Sequence, residues 1–216
     1  MPGIQGLLRN LNAAISSPKD WWLARQSIVS RGAIQHVDEL ARFSAMVRQL
    51  VPRRLVEIGT AQGGVFWLLC QISPDDATLV SVDLPPEERF SGGLKAAIDL
   101  SKMKKPGQTV HAVSGSSHHP ATLDRVKTIF AGGLIDVLFI DGDHSYEGVK
   151  QDYEMYHSLV RPGGIIAFHD IVHTKFEDCH VDVFWRELVR DTAAQATAII
   201  GHTPSHFGGI GVITVK

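Results

Sequence analysis

Apolar residues recur along this chain in two alternating rhythms. Short continuous apolar runs at 55–58, 79–82, 109–113, 135–140, 165–168, 196–200 and 210–215 predict strands, several of them covered on both faces. Helical spacing fills the gaps between them. Val65 to Cys70 forms one apolar helical run, and Val149, Tyr153, Tyr156 and Val160 form another stripe. Val37, Leu40, Ser44, Val47 and Val51 make a third, widened by Phe43 and Leu50 and stopped by Pro52. Further helices are expected over 94–103, from near Pro120, and over 181–189. Arg161-Pro162-Gly163-Gly164 reads as the turn that closes the helix of Val149 to Val160. Before residue 35 there is no strand pattern, and Trp21-Trp22 with Leu23 and Ile28 suggests short helical pieces acting as a cap.

Strands that alternate with helices predict a parallel, doubly wound sheet, because right-handed crossovers place helices on both faces. The last two strands have no room for a helix between them, so an antiparallel pair is expected there. In such sheets ligands bind outside the carboxyl ends of the strands. Polar residues of this chain gather at those ends: Glu57 and Gly59 on the first, Asp83 on the second, Ser116 and Ser117 after the third, Asp141 on the fourth, and His169-Asp170 on the fifth.

Gly59-x-x-x-Gly63-Gly64 lies between strand and helix, where a tight reversal and close approach of a ligand both favour glycine. The helix that follows turns free N–H groups and a positive dipole end toward that ligand. Asp83 comes about 24 residues after Gly59, near the spacing at which an acid meets ribose hydroxyls. The two signals together point to a nucleoside-type ligand. The G-x-G-x-x-G spacing of dinucleotide enzymes is absent, which weakens an NAD reading. Glu57 inside an apolar strand is costly to bury without a partner such as a ligand ammonium. Ser116 and Ser117 fit two roles, gripping an adenine edge or capping the helix near Pro120.

Length and composition fit a single α/β domain with some decoration, since 216 residues can bury a sizeable core. A net charge of -2 offers no electrostatic reason to expect nucleic acid or an anionic membrane as partner. Two cysteines exclude a disulfide framework, and no apolar run reaches the roughly 20 residues of a membrane span. No secretory pattern opens the sequence, so a cytoplasmic location is expected. Eleven histidines, several late in the chain, are unusual.

Glu57-Ile58-Gly59-Thr60-Ala61-Gln62-Gly63-Gly64, Val82-Asp83, the run from Phe139 to Val149 and Leu159-Val160-Arg161-Pro162-Gly163-Gly164 together resemble class I S-adenosylmethionine-dependent methyltransferases. The branch they resemble contains the cephalosporin-biosynthesis and macrolide-sugar O-methyltransferases. The resemblance covers roughly residues 30 to 216 and includes a Gly32-x-x-Gln35 element. It implies a Rossmann-like seven-stranded sheet with the last strand antiparallel, an N-terminal helical cap over 1–50 and a cofactor-binding domain over 51–216.

By the same resemblance, Glu57, Gly59 and Gly63 hold the methionine part of S-adenosylmethionine, Asp83 its ribose, and Ser116 or Ser117 its adenine region, with Asp141 beside them. Asp141, His169 and Asp170 occupy the positions of a divalent cation site (Mg, Mn or Fe). Histidine stands where relatives commonly carry an oxygen ligand, which favours Mn, Fe or Zn over Mg. The other reading has His169 only hydrogen-bonding Asp170, with no metal.

The expected partner is a small-molecule hydroxyl acceptor, and a homo-oligomer is compatible with the sequence. His144, three positions past Asp141, is the expected general base, because imidazole titrates near neutral pH. Its alternative role is to cap or pack the helix beginning at Ser145. A dehydrogenase, a hydrolase lacking its G-x-S-x-G elbow, and a catalytically silent cofactor-binding protein are the rival readings.

Overall fold

Seven strands form one sheet in the computed structural model, which describes residues 15–88, 99–192, 195–201 and 207–216. They are β1 (Arg54–Ile58), β2 (Thr78–Asp83), β3 (Thr109–Ser114), β4 (Ile135–Ile140), β5 (Val160–His169), β6 (Ala196–Ile199) and β7 (Ile210–Thr214). Their order is β3-β2-β1-β4-β5-β7-β6. The first five are parallel, and β7 runs antiparallel to both β5 and β6. This is the doubly wound, Rossmann-like sheet with an antiparallel last strand that the residue pattern predicts. The order reverses between β1 and β4, so a crevice opens at their carboxyl ends.

Side chains alternate to build two cores. On one face Leu55, Leu79, Val137, Phe139, Ile165 and Val212 meet α1 (Pro18–Val29), α2 (Val37–Gln49) and α3 (Gly64–Ile72). On the other, Val56, Ile58, Val80, Leu138, Ile140 and Phe168 meet α4 (Pro120–Ile129), α5 (Tyr146–Tyr156) and α6 (Val181–Thr192). Burial on both faces is why β4 reads as an unbroken apolar run. Residues 94–98 of the helix expected over 94–103 lie outside the described residues, as do residues 1–14, His202 and His206; Leu100–Lys102 forms a 3₁₀ turn.

Two expectations change. Arg161 to Gly164 does not close a helix: the helix gives way to a 3₁₀ turn at His157–Leu159, and these residues form the start of β5. Register shifts there, so that Ile135 pairs Val160 while Val137 pairs Ile165, and Gly163 takes φ 76°. The bulge keeps its backbone satisfied, because Gly163 N donates to Val215 O at 2.8 Å and Val215 N donates to Gly164 O at 2.9 Å. Asp136, beside the bulge, accepts from Arg53 N, Arg54 N and Arg161 Nε. The second change concerns Val51, which leaves the apolar stripe of α2, takes φ 48° and is exposed.

Buried carboxylates hold the helices on the sheet. Ser17 and Asp20 form a capping box at the start of α1, and the fully buried Asp20 also accepts two bonds from Arg48 of α2, at 3.2 and 2.7 Å. Glu39 of α2 accepts from Gly201 N at 2.8 Å and from Gly209 N at 3.0 Å, which ties the helix to the β6–β7 connection. Apolar packing stabilises this arrangement more than those bonds do. Phe139 in mid-sheet is fully buried with its ring 5.3 Å from that of Phe43 on α2. Phe139→Ala should therefore cost about 3–5 kcal/mol of stability, read as a lower midpoint in urea denaturation.

Candidate active site

The crevice begins with a close contact. Gly59 follows β1 at φ 84°, and a Cβ there would lie 2.0 Å from the carbonyl oxygen of Asp141, the residue that follows β4. Only glycine lets these two strand tips touch. Asp141 N donates to Ile58 O at 2.8 Å and Gly59 N donates to Val82 O at 2.9 Å, so the tips of β1, β2 and β4 form one rim. Gly63 then starts α3 from the left-handed region at φ 83°.

A cavity of about 300 Å³ opens on this rim. Of the residues expected at the site, Glu57, Gly59, Asp141, His144, His169 and Asp170 line it together. Gly63 adjoins the lining through Gly64. Asp83, Ser116 and Ser117 lie along the neighbouring strand ends, outside the walls of the cavity. There Asp83 pairs Ser114 in register and accepts from Gly115 N at its carbonyl. The helix cap once open to Ser116 or Ser117 belongs to His119, whose ring accepts from Ala121 N at 3.3 Å.

Glu57 is 1% exposed and its Oε2 has no hydrogen-bond partner among the described residues. Burial, with the nearby charges of Asp141 and Asp83, pushes its carboxyl well above the usual carboxylate range, against a bond from Thr60. The Thr60 hydroxyl is itself 2.5 Å from that of Ser81.

Next to Glu57, two carboxylates and two imidazoles interleave. Asp141 Oδ1 lies 3.2 Å from His169 Nδ1 and 3.3 Å from His144 Nε2. Asp170 Oδ2 lies 3.2 Å from His144 Nδ1 and 3.5 Å from His169 Nδ1. Asp170 also accepts from Gly208 N at 2.8 Å through its other oxygen, and its backbone sits at φ 61°. His144 does not cap the following helix; Ser145 does, accepting from Gly148 N at 3.0 Å.

Charge follows from this geometry. Burial opposes a proton on either histidine, but the carboxylates outweigh it, raising His144 far above the ordinary imidazole value and His169 to about 10. Burial likewise opposes ionisation of Asp141 and Asp170, and the imidazoles overcome it, holding both below the usual carboxylate range. Each carboxylate therefore favours the protonated form of the imidazoles beside it, and each imidazole the ionised form of the acids.

Ligand atoms of Asp141, His169 and Asp170 lie within 4.8 Å of one another, as do those of His144, Asp170 and Cys179. Nε2 of His169 is buried with no partner among the described residues. Neutral imidazole and carboxylate at this spacing are a donor set for a divalent ion with borderline preferences.

The residue pattern did not reveal Gln35, Cys179, Phe176 or Phe207 as parts of the site. Phe176 and Phe207 line the cavity. Cys179 is buried near His144, where His180 N donates to His144 O at 2.8 Å and holds the loop down. Nothing in the spacing of Cys179 marks it. Gln35 could have been found, because it ends the Gly32-x-x-Gln35 element; in space its Nε2 donates to Asp141 Oδ2 at 2.8 Å.

Residues 56–171, just over half of the chain, match the methyltransferase domain family. The chain belongs to that family. The chain is 34% identical over 115 residues to the uncharacterised protein R132 of Acanthamoeba polyphaga mimivirus, covering 53% of this chain and 50% of that protein. It therefore spans about half the length of that relative. Its fold is that of the O-methyltransferase TomG of Streptomyces achromogenes, which is involved in tomaymycin synthesis and was solved with S-adenosylmethionine. The TM-score is 0.62 at 18% identity, over 96% of this chain and 95% of that one. The mycinamycin-pathway methyltransferase MycE, solved with Mg and S-adenosylhomocysteine, matches with a TM-score of 0.59 at 14% identity, over 92% of this chain and 55% of that one. The resemblance to class I methyltransferases read from the sequence is borne out in family and in fold.

No helix among the described residues is long and apolar enough to cross a membrane. The charge pattern of the cluster can be observed directly. In metal-free protein at neutral pH, the ring-nitrogen NMR shifts of His144 and His169 should be those of imidazolium, with His169 losing its proton only near pH 10.

Proposed function

We propose that this chain is an S-adenosylmethionine-dependent O-methyltransferase acting on a hydroxyl of a small molecule such as a sugar or secondary metabolite. The observation that carries the reading is the buried, half-satisfied carboxyl of Glu57, which shares one strand-end cavity with Asp141, His144, His169 and Asp170. Carboxyl oxygens of Glu57 and Asp141 at a glycine rim suit the ammonium and ribose of S-adenosylmethionine, the cofactor with which TomG was solved. Glu57, Gly59 and Gly63 take the methionine end, Asp83 the ribose, and Ser116 or Ser117 the adenine side.

Methyl transfer is an in-line displacement: the acceptor oxygen bonds the methyl carbon as the carbon–sulfur bond breaks, and sulfur keeps the electron pair. The protein's task is chiefly to align the reacting atoms at near-attack distance. The acceptor proton goes to His144, which can take it only from its neutral state. Held by Asp141 and Asp170, His144 keeps a proton at neutral pH in the metal-free protein, so the base is armed only when that proton is displaced.

Asp141, His169 and Asp170 fit a divalent cation, with His144 and Cys179 on its flank. When bound, such an ion supplies positive charge that lowers the pKa of an acceptor hydroxyl. A doubly charged ion would replace the two imidazole protons without changing the charge of the cluster. The imidazole favours Mn, Fe or Zn over the Mg with which MycE was solved.

Calorimetry tests the cofactor. The protein should bind S-adenosylmethionine and S-adenosylhomocysteine, and Asp83→Ala should weaken both roughly ten- to a hundredfold through lost charge-assisted contacts. Unchanged affinity in the variant would remove Asp83 from the ribose site. For the cation, Mn or Zn binding measured in buffers of different ionisation heat should release about two protons at neutral pH. Asp170→Ala should abolish that binding, and ion uptake without proton release would place the metal elsewhere.

A further inference from the structure

The linker between α1 and α2 is clamped on the glycine loop. A Cβ on Gly64 would lie 2.4 Å from Ala33 N, and one on Gly32 would lie 2.0 Å from Gln62 Oε1. The Arg31 guanidinium stands 5.5 Å over the Trp67 ring of α3, and Ala33 N donates to Ser27 O at 3.0 Å. This segment therefore delivers Gln35 to a fixed place in the cavity wall, 9% exposed.

Its amide has only one sensible orientation. Nε2 donates to Asp141 Oδ2 at 2.8 Å, and the flipped amide would set a carbonyl against a carboxylate. Oε1 is then the other end of the group, buried and without a hydrogen-bond partner among the described residues. Glu57 Oε2, in the wall of the same cavity, is in the same condition. Two buried acceptors left unmade are expensive, and a ligand group carrying several donors would satisfy both at once. In an S-adenosyl compound the group that answers is the α-ammonium. The sulfonium carries no hydrogen to donate, and on the reading above the ribose hydroxyls and adenine amine go to Asp83 and to Ser116 or Ser117, outside this cavity.

Building on the cofactor reading above, we propose that Gln35 accepts a hydrogen bond from the ligand's α-ammonium beside Glu57, while its amide nitrogen holds Asp141. Gln35 is then the residue through which the amino-acid end of the cofactor is sensed by the cluster where the cation and acceptor meet. The competing view makes Gln35 only a strut for Asp141, with no contact to ligand.

Gln35→Met separates the two, since methionine keeps length and apolar bulk but loses both polar atoms. Calorimetry is done on wild type and variant with S-adenosylhomocysteine and with 5′-methylthioadenosine, the same nucleoside thioether cut short of its amino-acid end. The variant should lose roughly ten- to a hundredfold in affinity for the first and stay within about twofold for the second. Retained methylthioadenosine binding also reports that the variant is folded. Equal losses for both ligands, or no loss for either, would overturn the assignment and leave the strut. If wild-type protein binds neither compound, the S-adenosyl reading itself fails, and this inference with it.

Discussion

Contact between the tips of β1 and β4 is the constraint on which the site depends. Gly59 and Asp141 approach so closely that no side chain larger than hydrogen fits on the first. That approach sets Glu57, one pleat back on β1, beside the carboxylate that leaves β4. It also turns the chain sharply enough for α3 to start within a few residues, with its N-terminal amides facing the crevice. Any residue with a Cβ at position 59 would push the strands apart and dismantle the rim along with the turn.

Bringing acids together in this way creates an electrostatic burden that the protein solves in two manners. Asp141 and Asp170 are each paired with His144 and His169, so that the acids of a partly buried group of four ionisable side chains face imidazoles rather than one another. Glu57 has no such cation among the described residues, and burial raises its carboxyl well above the usual carboxylate range instead. The first solution is exchangeable, since protons on imidazole can give way to a metal. The second leaves an acceptor in waiting, beside the equally unpaired carbonyl of Gln35.

The parts of this architecture that were legible in the sequence are those governed by local periodicity. The unbroken apolar run of β4 and the polar residues at five strand ends follow from burial on both faces, and they placed Glu57, Asp141, His144, His169 and Asp170 along one edge. Pro162-Gly163-Gly164 misled because the same residues serve a turn or a bulge. Which one forms is decided by Val215, more than fifty positions away, through bonds to Gly163 and Gly164. Val51 matched a helical interval, yet its helix had already ended. Cys179 reaches the cluster through folding of a distant segment, with a spacing that carries no signal of its own. Gln35 was marked by the Gly32-x-x-Gln35 element, but not by any sign of what it touches. Asp83, Ser116 and Ser117 were placed correctly at strand ends, but the sheet sets them to one side of the cavity that holds the others.

Asp170 has a backbone that few residues tolerate, at φ 61° with its side chain already bonded to Gly208 N. Asparagine and glycine are the residues that share its ease in this region. Asparagine is also its nearest neighbour in shape, and would keep the turn and the bond to Gly208 while giving up the charge. One substitution would thus change the charge of the cluster and leave the scaffold whole. Descendants of this fold could in that way share one backbone while differing in the charge they present at the crevice.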